Sequence, residues 1–244
     1  MSYELELVAL AVLLYLYDST VLLSANEAVF TCVVRGPDAW RVSTGSRGFL
    51  VGGRTVCLLD PLMPYAPCVR LRWDLCAAAD PTQSNNTWSA ELVKLRVAAP
   101  WVLLAAFALF ILLPLGLFTP LGLYATLAAV VLLYGSILVA LLLLRRTDPL
   151  RSMATVKFIG LIFECLACPP FGVNLIRRVA LMSKVNESVL GAGQRLLTPP
   201  EWLRLRAHCV AVLDEELQAC EDNAPERPAL EAQRARLGDQ VTSS

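Results

Sequence analysis

The chain has 244 residues, of which 56% are hydrophobic and 17% charged, with 21 basic residues against 21 acidic ones and a mean hydropathy of +0.56. Soluble domains run nearer 45–50% apolar and about 25% charged. The composition is therefore not that of an ordinary soluble domain, and the apolar excess is concentrated in a few segments.

The amino-terminal stretch "ELELVALAVLLYLYDSTVLL" is the first of these. It is uncharged from Leu7 to Tyr17, and it reaches spanning length only if Val21 to Leu23 are counted beyond Asp18. It has neither the basic start nor the small-residue cleavage pattern of a signal peptide. A retained transmembrane helix over residues 1–24 is expected.

Residues 25–96 read as a small β domain and a polar linker. "CVRLRWDL" alternates, with Val69, Leu71, Trp73 and Leu75 on one face and Arg70, Arg72 and Asp74 on the other, the period of a half-buried strand. "FLVGGRTVCLL" reads as two strands around a Gly52-Gly53 turn, and "AVFTCVV" and "AWRVST" add two more. The expectation is a four- to five-stranded antiparallel sheet, closed by the loop "DPLMPYAP" and too small for a robust core alone. Arg35, Arg41, Arg47, Arg54, Arg70 and Arg72 offer a basic face to anionic headgroups or to plain solvent. No aromatic residues interleave them as a nucleic-acid stacking platform requires, so no nucleic-acid partner is expected.

From Val97 to Leu144 there are 48 residues without Asp, Glu, Lys or Arg. A bilayer core takes roughly 20 helical residues, whereas one helix of this length would run about 72 Å. Two spans, Val97–Leu113 and Leu123–Leu144, joined by the turn "PLGLFTPLG", fit residues 97–144. Ala125, Ala129, Ser136 and Ala140 give the second span a small-residue face for close helix approach. Lys94 and Arg96 precede the hairpin, and Arg145, Arg146 and Arg151 follow it. Basic residues mark the cytoplasmic side, so the β domain and the carboxy-terminus are expected in the cytoplasm. There Cys32, Cys57, Cys68 and Cys76 would stay as thiols, and the sequon at Asn85 carries no weight.

Residues 145–190 are expected to form basic interfacial or re-entrant helices broken at Pro169-Pro170. Only Glu164 is charged between Lys157 and Arg177, and flanking basic residues oppose a full crossing. Lys157, Gly160, Glu164 and Cys168 share one helical face. With Asp18 and Cys165 they make a candidate intramembrane or interfacial polar seam. Arg145, Arg146, Arg177 and Arg178 are candidate headgroup contacts, the last two on a helix suited to an anionic leaflet. Cys165-x-x-Cys168 sits at the carboxyl end of its helix beside Glu164, which disfavours a thiolate. A second Cys-x-x-Cys is missing and His208 is the lone histidine, so no metal or cofactor is expected.

Residues 191–244 read as an amphipathic helical tail. Thr198, Pro199 and Glu201 form a helix start with a capping box. Trp202, Cys209, Val210, Leu213, Leu217 and Cys220 supply its apolar face, and a second helix runs from Pro228 to Leu237.

The expected fold class is an integral membrane α-helical protein. It has about three transmembrane helices plus an interfacial or re-entrant helix, a small antiparallel β domain and a helical cytoplasmic tail. The expected function is a non-catalytic membrane accessory, assembly or scaffold protein, its partners being anionic lipid headgroups and either another membrane protein or further copies of itself. High Leu, Ala and Arg content fits a bacterial inner membrane. The alternatives are a small subunit of a transport system, which three spans would require to oligomerise, and a membrane thiol oxidoreductase using Cys165 and Cys168.

Overall fold

A computed structural model describes residues 3–33, 39–73, 87–120, 122–147, 150, 155–183, 185, 187–221 and 224–239. The chain divides into two compact units. One holds Met1–Val21, Leu58–Cys68 and Asn86–Lys184, and the other Leu22–Cys57, Val69–Asn85 and Val185–Ser244. Asp74, Leu75, Cys76, Asn85, Arg35 and Arg151 lie outside the described residues.

In the first unit, helix α1 is Tyr3–Asp18. At about 1.5 Å per residue its 16 residues cover about 24 Å, short of a bilayer core of about 30 Å. It ends because the chain turns on its own hydroxyls. Ser19 Oγ donates to the Tyr15 carbonyl at 2.8 Å, beside the helical bond that carbonyl accepts from the Ser19 amide, and Thr20 Oγ1 donates at 2.7 Å to the Tyr17 carbonyl, which a longer helix would have bonded. Thr20–Leu23 is then a strand, β1. The helix is thus shorter than the expected 1–24, since Val21 to Leu23 do not extend it. Along α1 only Tyr15 is buried, and Leu5, Leu7, Leu10, Leu13 and Tyr17 face outward.

The apolar hairpin is built from two rods. The first begins as α2 (Thr87–Lys94), passes through a 3₁₀ turn and continues as α3 (Ala99–Phe107), a π turn (Ala108–Leu112) and α4 (Leu113–Phe118). Pro114 was expected to open the connecting turn. Instead it lies within the rod, and the ladder widens into the π turn just before the residue that lacks an amide hydrogen. The second rod is α5, Gly122–Arg145. Gly116 lets the rods meet at their tip: a Cβ there would sit 2.8 Å from the Thr126 backbone nitrogen.

Ala129, Leu133, Ser136, Ile137, Ala140, Leu141 and Leu144 form the buried stripe of α5, so three of the four small residues named from the sequence do face the packing. Trp88–Phe118 and Gly122–Arg145 are long and apolar enough to cross a membrane. Within their most apolar windows only 28% and 39% of residues are buried. Phe107, Ile111, Leu115, Leu127, Val131 and Leu142 remain exposed. This is the extent to which the fold indicates association with a membrane.

Helix α6 is Thr155–Ala167, and the chain breaks at Cys168 before α7, Pro169–Val173, as the double proline dictates. Gly172 seats α7 against Ile137, whose Cδ1 would lie 2.5 Å from an added Cβ. Helix α8, Leu175–Met182, completes this unit.

Among the described residues six strands, most of whose positions fall in the second unit, form two three-stranded sheets, rather than the single sheet expected. The additional strand is β1, from the segment that had read as membrane helix. It joins β5 (Arg54–Leu58), which pairs antiparallel with β4 (Ser46–Val51). The turn between them has Gly52 at φ 58 and Gly53 at φ 76, the left-handed conformations a two-residue hairpin requires. Thr55 Oγ1 donates to the Leu23 carbonyl at 3.1 Å and ties β5 to the end of β1.

The other sheet orders β3 (Trp40–Ser43), β2 (Glu27–Cys32) and β6 (Cys68–Arg72), with Phe30 opposite Val42 and Cys32 opposite Trp40. In and just after β6, Val69, Leu71 and Trp73 are buried while Arg70 and Arg72 are exposed, the alternation read from the sequence. Arg70 pairs with Glu27 at 3.5 Å.

The carboxy-terminal helices are α9 (Val189–Leu196), α10 (Pro199–Ala219) and α11 (Arg227–Asp239). They fold with these strands: His208 of α10 meets the Trp73 ring edge to face at 6.2 Å. The buried face of α10 is Leu205, Arg206, Cys209, Val212 and Leu213; it shares Cys209 and Leu213 with the face read from the apolar spacing, whose Trp202, Val210, Leu217 and Cys220 are only half-buried. Thr198 is the N-cap residue, but its side chain makes no capping bond, and Glu201 reaches Arg204 at 3.5 Å. Buried Arg206 holds α11 by donating to the Leu237 carbonyl.

Candidate functional site

Helix α8 carries two adjacent arginines, and neighbouring helical residues point about 100° apart. Arg177 turns inward, 2% exposed. It donates to the carbonyls of Asp60 and Met63, the latter at 2.8 Å, and to Asn174 Oδ1 at 3.4 Å. Those carbonyls are presented by the turns of the loop "DPLMPYAP", where Met63 N donates back to Asp60 and Ala66 N to Met63. Asn174 donates in turn to Ser19 Oγ at 3.0 Å, while Tyr15 donates its hydroxyl to Pro61. One buried polar network thus ties α1, the Pro-rich loop and α8 together. Burial lowers the Arg177 pKa; its two terminal nitrogens are bonded to carbonyl oxygens, which offsets the desolvation, while its buried Nε has no hydrogen-bond partner among the described residues. The expected headgroup role of Arg177 is corrected: its guanidinium is spent on backbone inside the unit.

Arg178 turns the other way. It makes an ion pair with Glu164 at 2.6 Å, approaches Asp18 at 3.7 Å and lies over the Phe171 ring at 4.8 Å. Beside this triad opens a cavity of about 510 Å³. Its charged wall is Asp18, Lys157, Glu164 and Arg178; Thr20, Gly160, Leu161, Leu181 and Met182 complete the lining. The seam read from the sequence is therefore assembled in part. Asp18, 139 positions before Lys157, joins Lys157, Gly160 and Glu164 on one cavity wall.

The cysteines of that seam go elsewhere. Cys165 is fully buried, and burial pushes its thiol up to about 12. Cys168 is half-buried with its pKa raised for the same reason, and it does not line the cavity. A raised thiol pKa opposes the thiolate that disulfide exchange needs. Among the described residues every cysteine is a free thiol, and no cluster of His, Cys, Asp or Glu could hold a metal ion.

Of the remaining headgroup candidates, Arg145 donates to the Leu150 carbonyl at 3.3 Å and stacks over Phe158 at 4.5 Å, while Arg146 is exposed. In the second unit an open groove of about 980 Å³ runs between α10 and α11, its walls carrying the ion pairs Asp214–Arg234 and Arg227–Glu231.

Sequence reasoning missed Tyr15, Ser19, Asp60 and Asn174 as one network, because their contacts are long-range and each is unremarkable alone. The arginine doublet was visible, but not that its members part. Arg178 was read as a lipid contact, and its carboxylate partners were not foreseen. Comparison with protein families, with curated proteins and with solved structures found no match to this chain.

Proposed function

We propose that this chain is a non-catalytic integral membrane protein that acts as an accessory, assembly or scaffold component through lipid and protein contacts. The observation that carries the reading is the hairpin: two rods of membrane length whose outer faces are apolar and uncovered. In water such a surface is a large liability; in hydrocarbon it needs no cover. Both feet of the hairpin carry basic residues, Lys94 and Arg96 at one and Arg145 and Arg146 at the other, which favours cytoplasmic feet. Helix α1, too short to span straight, and α6, with its charged seam, are then best read at the membrane boundary. The leucine, alanine and arginine content fits a bacterial inner membrane.

A partner is the natural consequence of two spans with little polar surface between them. In mild detergent the full chain is expected to co-purify with a defined membrane protein or as a homo-oligomer. A solitary, monodisperse monomer in every detergent tried would contradict the accessory reading. A second reading, a small subunit of a transport system, draws on the charged cavity of Asp18, Lys157, Glu164 and Arg178, because ionisable residues near a membrane mark substrate paths. It predicts that neutralising Glu164 changes the partner's transport rate while the complex stays intact.

A further inference from the structure

We propose that the cavity between α1, α6 and α8 binds a zwitterion carrying a primary ammonium and a phosphodiester, the headgroup chemistry of an aminophospholipid. The proposal rests on the membrane reading for its source of ligand, and on the cavity alone for its chemistry. A volume of about 510 Å³ falls in the range of small-molecule sites, which combine apolar walls with a few placed polar groups. Leu161, Leu181 and Met182 form the apolar wall, and half-exposed Met182 leaves it open to an alkyl chain.

The charged wall has two poles. Arg178 is bracketed by Asp18 and Glu164, so the three together carry one net negative charge. Lys157 makes no ion pair among the described residues and contributes one positive charge, two helical turns from Glu164, about 10 Å along α6. A simple anion would meet Lys157 and be repelled by the triad, and a simple cation the reverse. A ligand with both signs satisfies both poles, and a primary ammonium offers three donors to carboxylates that can still accept. Asp18 Oδ2 and Arg178 Nη1 are buried without a hydrogen-bond partner among the described residues, so the polar wall is underfilled as it stands.

Gly160 supplies the depth. Nothing lies within 4 Å of the position its Cβ would take, so the cavity reaches the helix backbone there. Gly160→Leu would fill the space while favouring the helix.

The test is native mass spectrometry of the detergent-solubilised full chain, titrated with dioleoyl phosphatidylethanolamine, its choline and glycerol counterparts, and soluble glycerophosphoethanolamine. Preferred binding of the ethanolamine lipid is expected. Gly160→Leu and Lys157→Gln should each weaken it about tenfold, and Glu164→Gln should abolish its margin over the choline lipid. If glycerophosphoethanolamine binds as well as the lipid, the site stands and its source is a free zwitterion; if only the lipid binds, the source is the bilayer. Equal binding of all headgroups, or ethanolamine binding untouched by Gly160→Leu and Lys157→Gln, overturns the proposal. Flotation with vesicles separates the two readings. A chain that floats but shows no headgroup preference ends this proposal alone, and a chain that does not float ends the membrane reading while the soluble probe still decides the site.

Discussion

The guanidinium of Arg177 donates to the carbonyl of Met63 at 2.8 Å, across 114 residues of chain. Through that bond and its neighbours the Pro-rich loop is fixed to α8, and through Asn174 and Ser19 so is the end of α1. The charged cavity lies on the other side of the same helix, its Arg178 held by Glu164. The buried network sets where the cavity's walls stand.

Arg177→Met removes a charged donor from the carbonyls of Asp60 and Met63. Hydrogen bonds to charged groups contribute about 1.5–3 kcal/mol each, so a loss of roughly 3 kcal/mol is expected in a detergent melt. Arg178→Gln breaks a half-exposed pair, which is worth about 1 kcal/mol or less. A smaller effect at 177 than at 178 would contradict the buried network.

At Gly116 an added methyl meets the Thr126 hydroxyl at 2.7 Å and also the Thr126 backbone nitrogen at 2.8 Å, which cannot turn aside as a side chain can. Gly116→Ala should therefore splay the hairpin tip and cost about 1–3 kcal/mol. Gly135→Ala, where nothing lies within 4 Å, should stabilise by up to about 1 kcal/mol. Paired thermal melts of the two variants check this.

Arg206 should govern α11. Its loss in Arg206→Leu leaves the Leu237 carbonyl, at the last turn, without its charged donor. Amide exchange over residues 227–239 should then speed up about tenfold, an opening free energy lower by about 1.4 kcal/mol, while exchange in β2 stays unchanged.

Burial pushes the Cys165 and Cys209 thiols up to about 12, against an ordinary value of 9.0. Folding thus favours the neutral thiols. Their contribution is complete below pH 9 and is lost as pH rises from 9 towards 12, because the unfolded chain releases those protons first. Each group adds a slope of up to about 1.4 kcal/mol per pH unit in that window. A Cys165→Ala, Cys209→Ala variant should lose stability less steeply above pH 9, as measured by denaturant titration.

What was legible in the sequence was whatever depends on local pattern. The Gly52-Gly53 hairpin, the alternation from Val69 to Trp73, the break at Pro169-Pro170 and the uncharged hairpin all follow from composition and period. Misreadings arose where tertiary bonds decide. Val21 to Leu23 are apolar enough for a helix, but Thr55 and the rest of β5 recruit them into a sheet. Pro114 looked like a turn residue until a π turn absorbed it. The polar seam of α6 was visible in its spacing, whereas its meeting with Asp18 and Arg178 needed the fold.

We propose that the hairpin inserts with its tip outside and its feet in the cytoplasm. The most direct measurement is labelling of a Thr119→Cys chain with an impermeant maleimide in intact cells, mapped by mass spectrometry beside native Cys220, which is half-exposed. Position 119 is expected to react in intact cells and Cys220 only after lysis. Reaction of Cys220 in intact cells with position 119 protected would invert the orientation, and recovery of the whole chain in the soluble fraction would contradict insertion altogether.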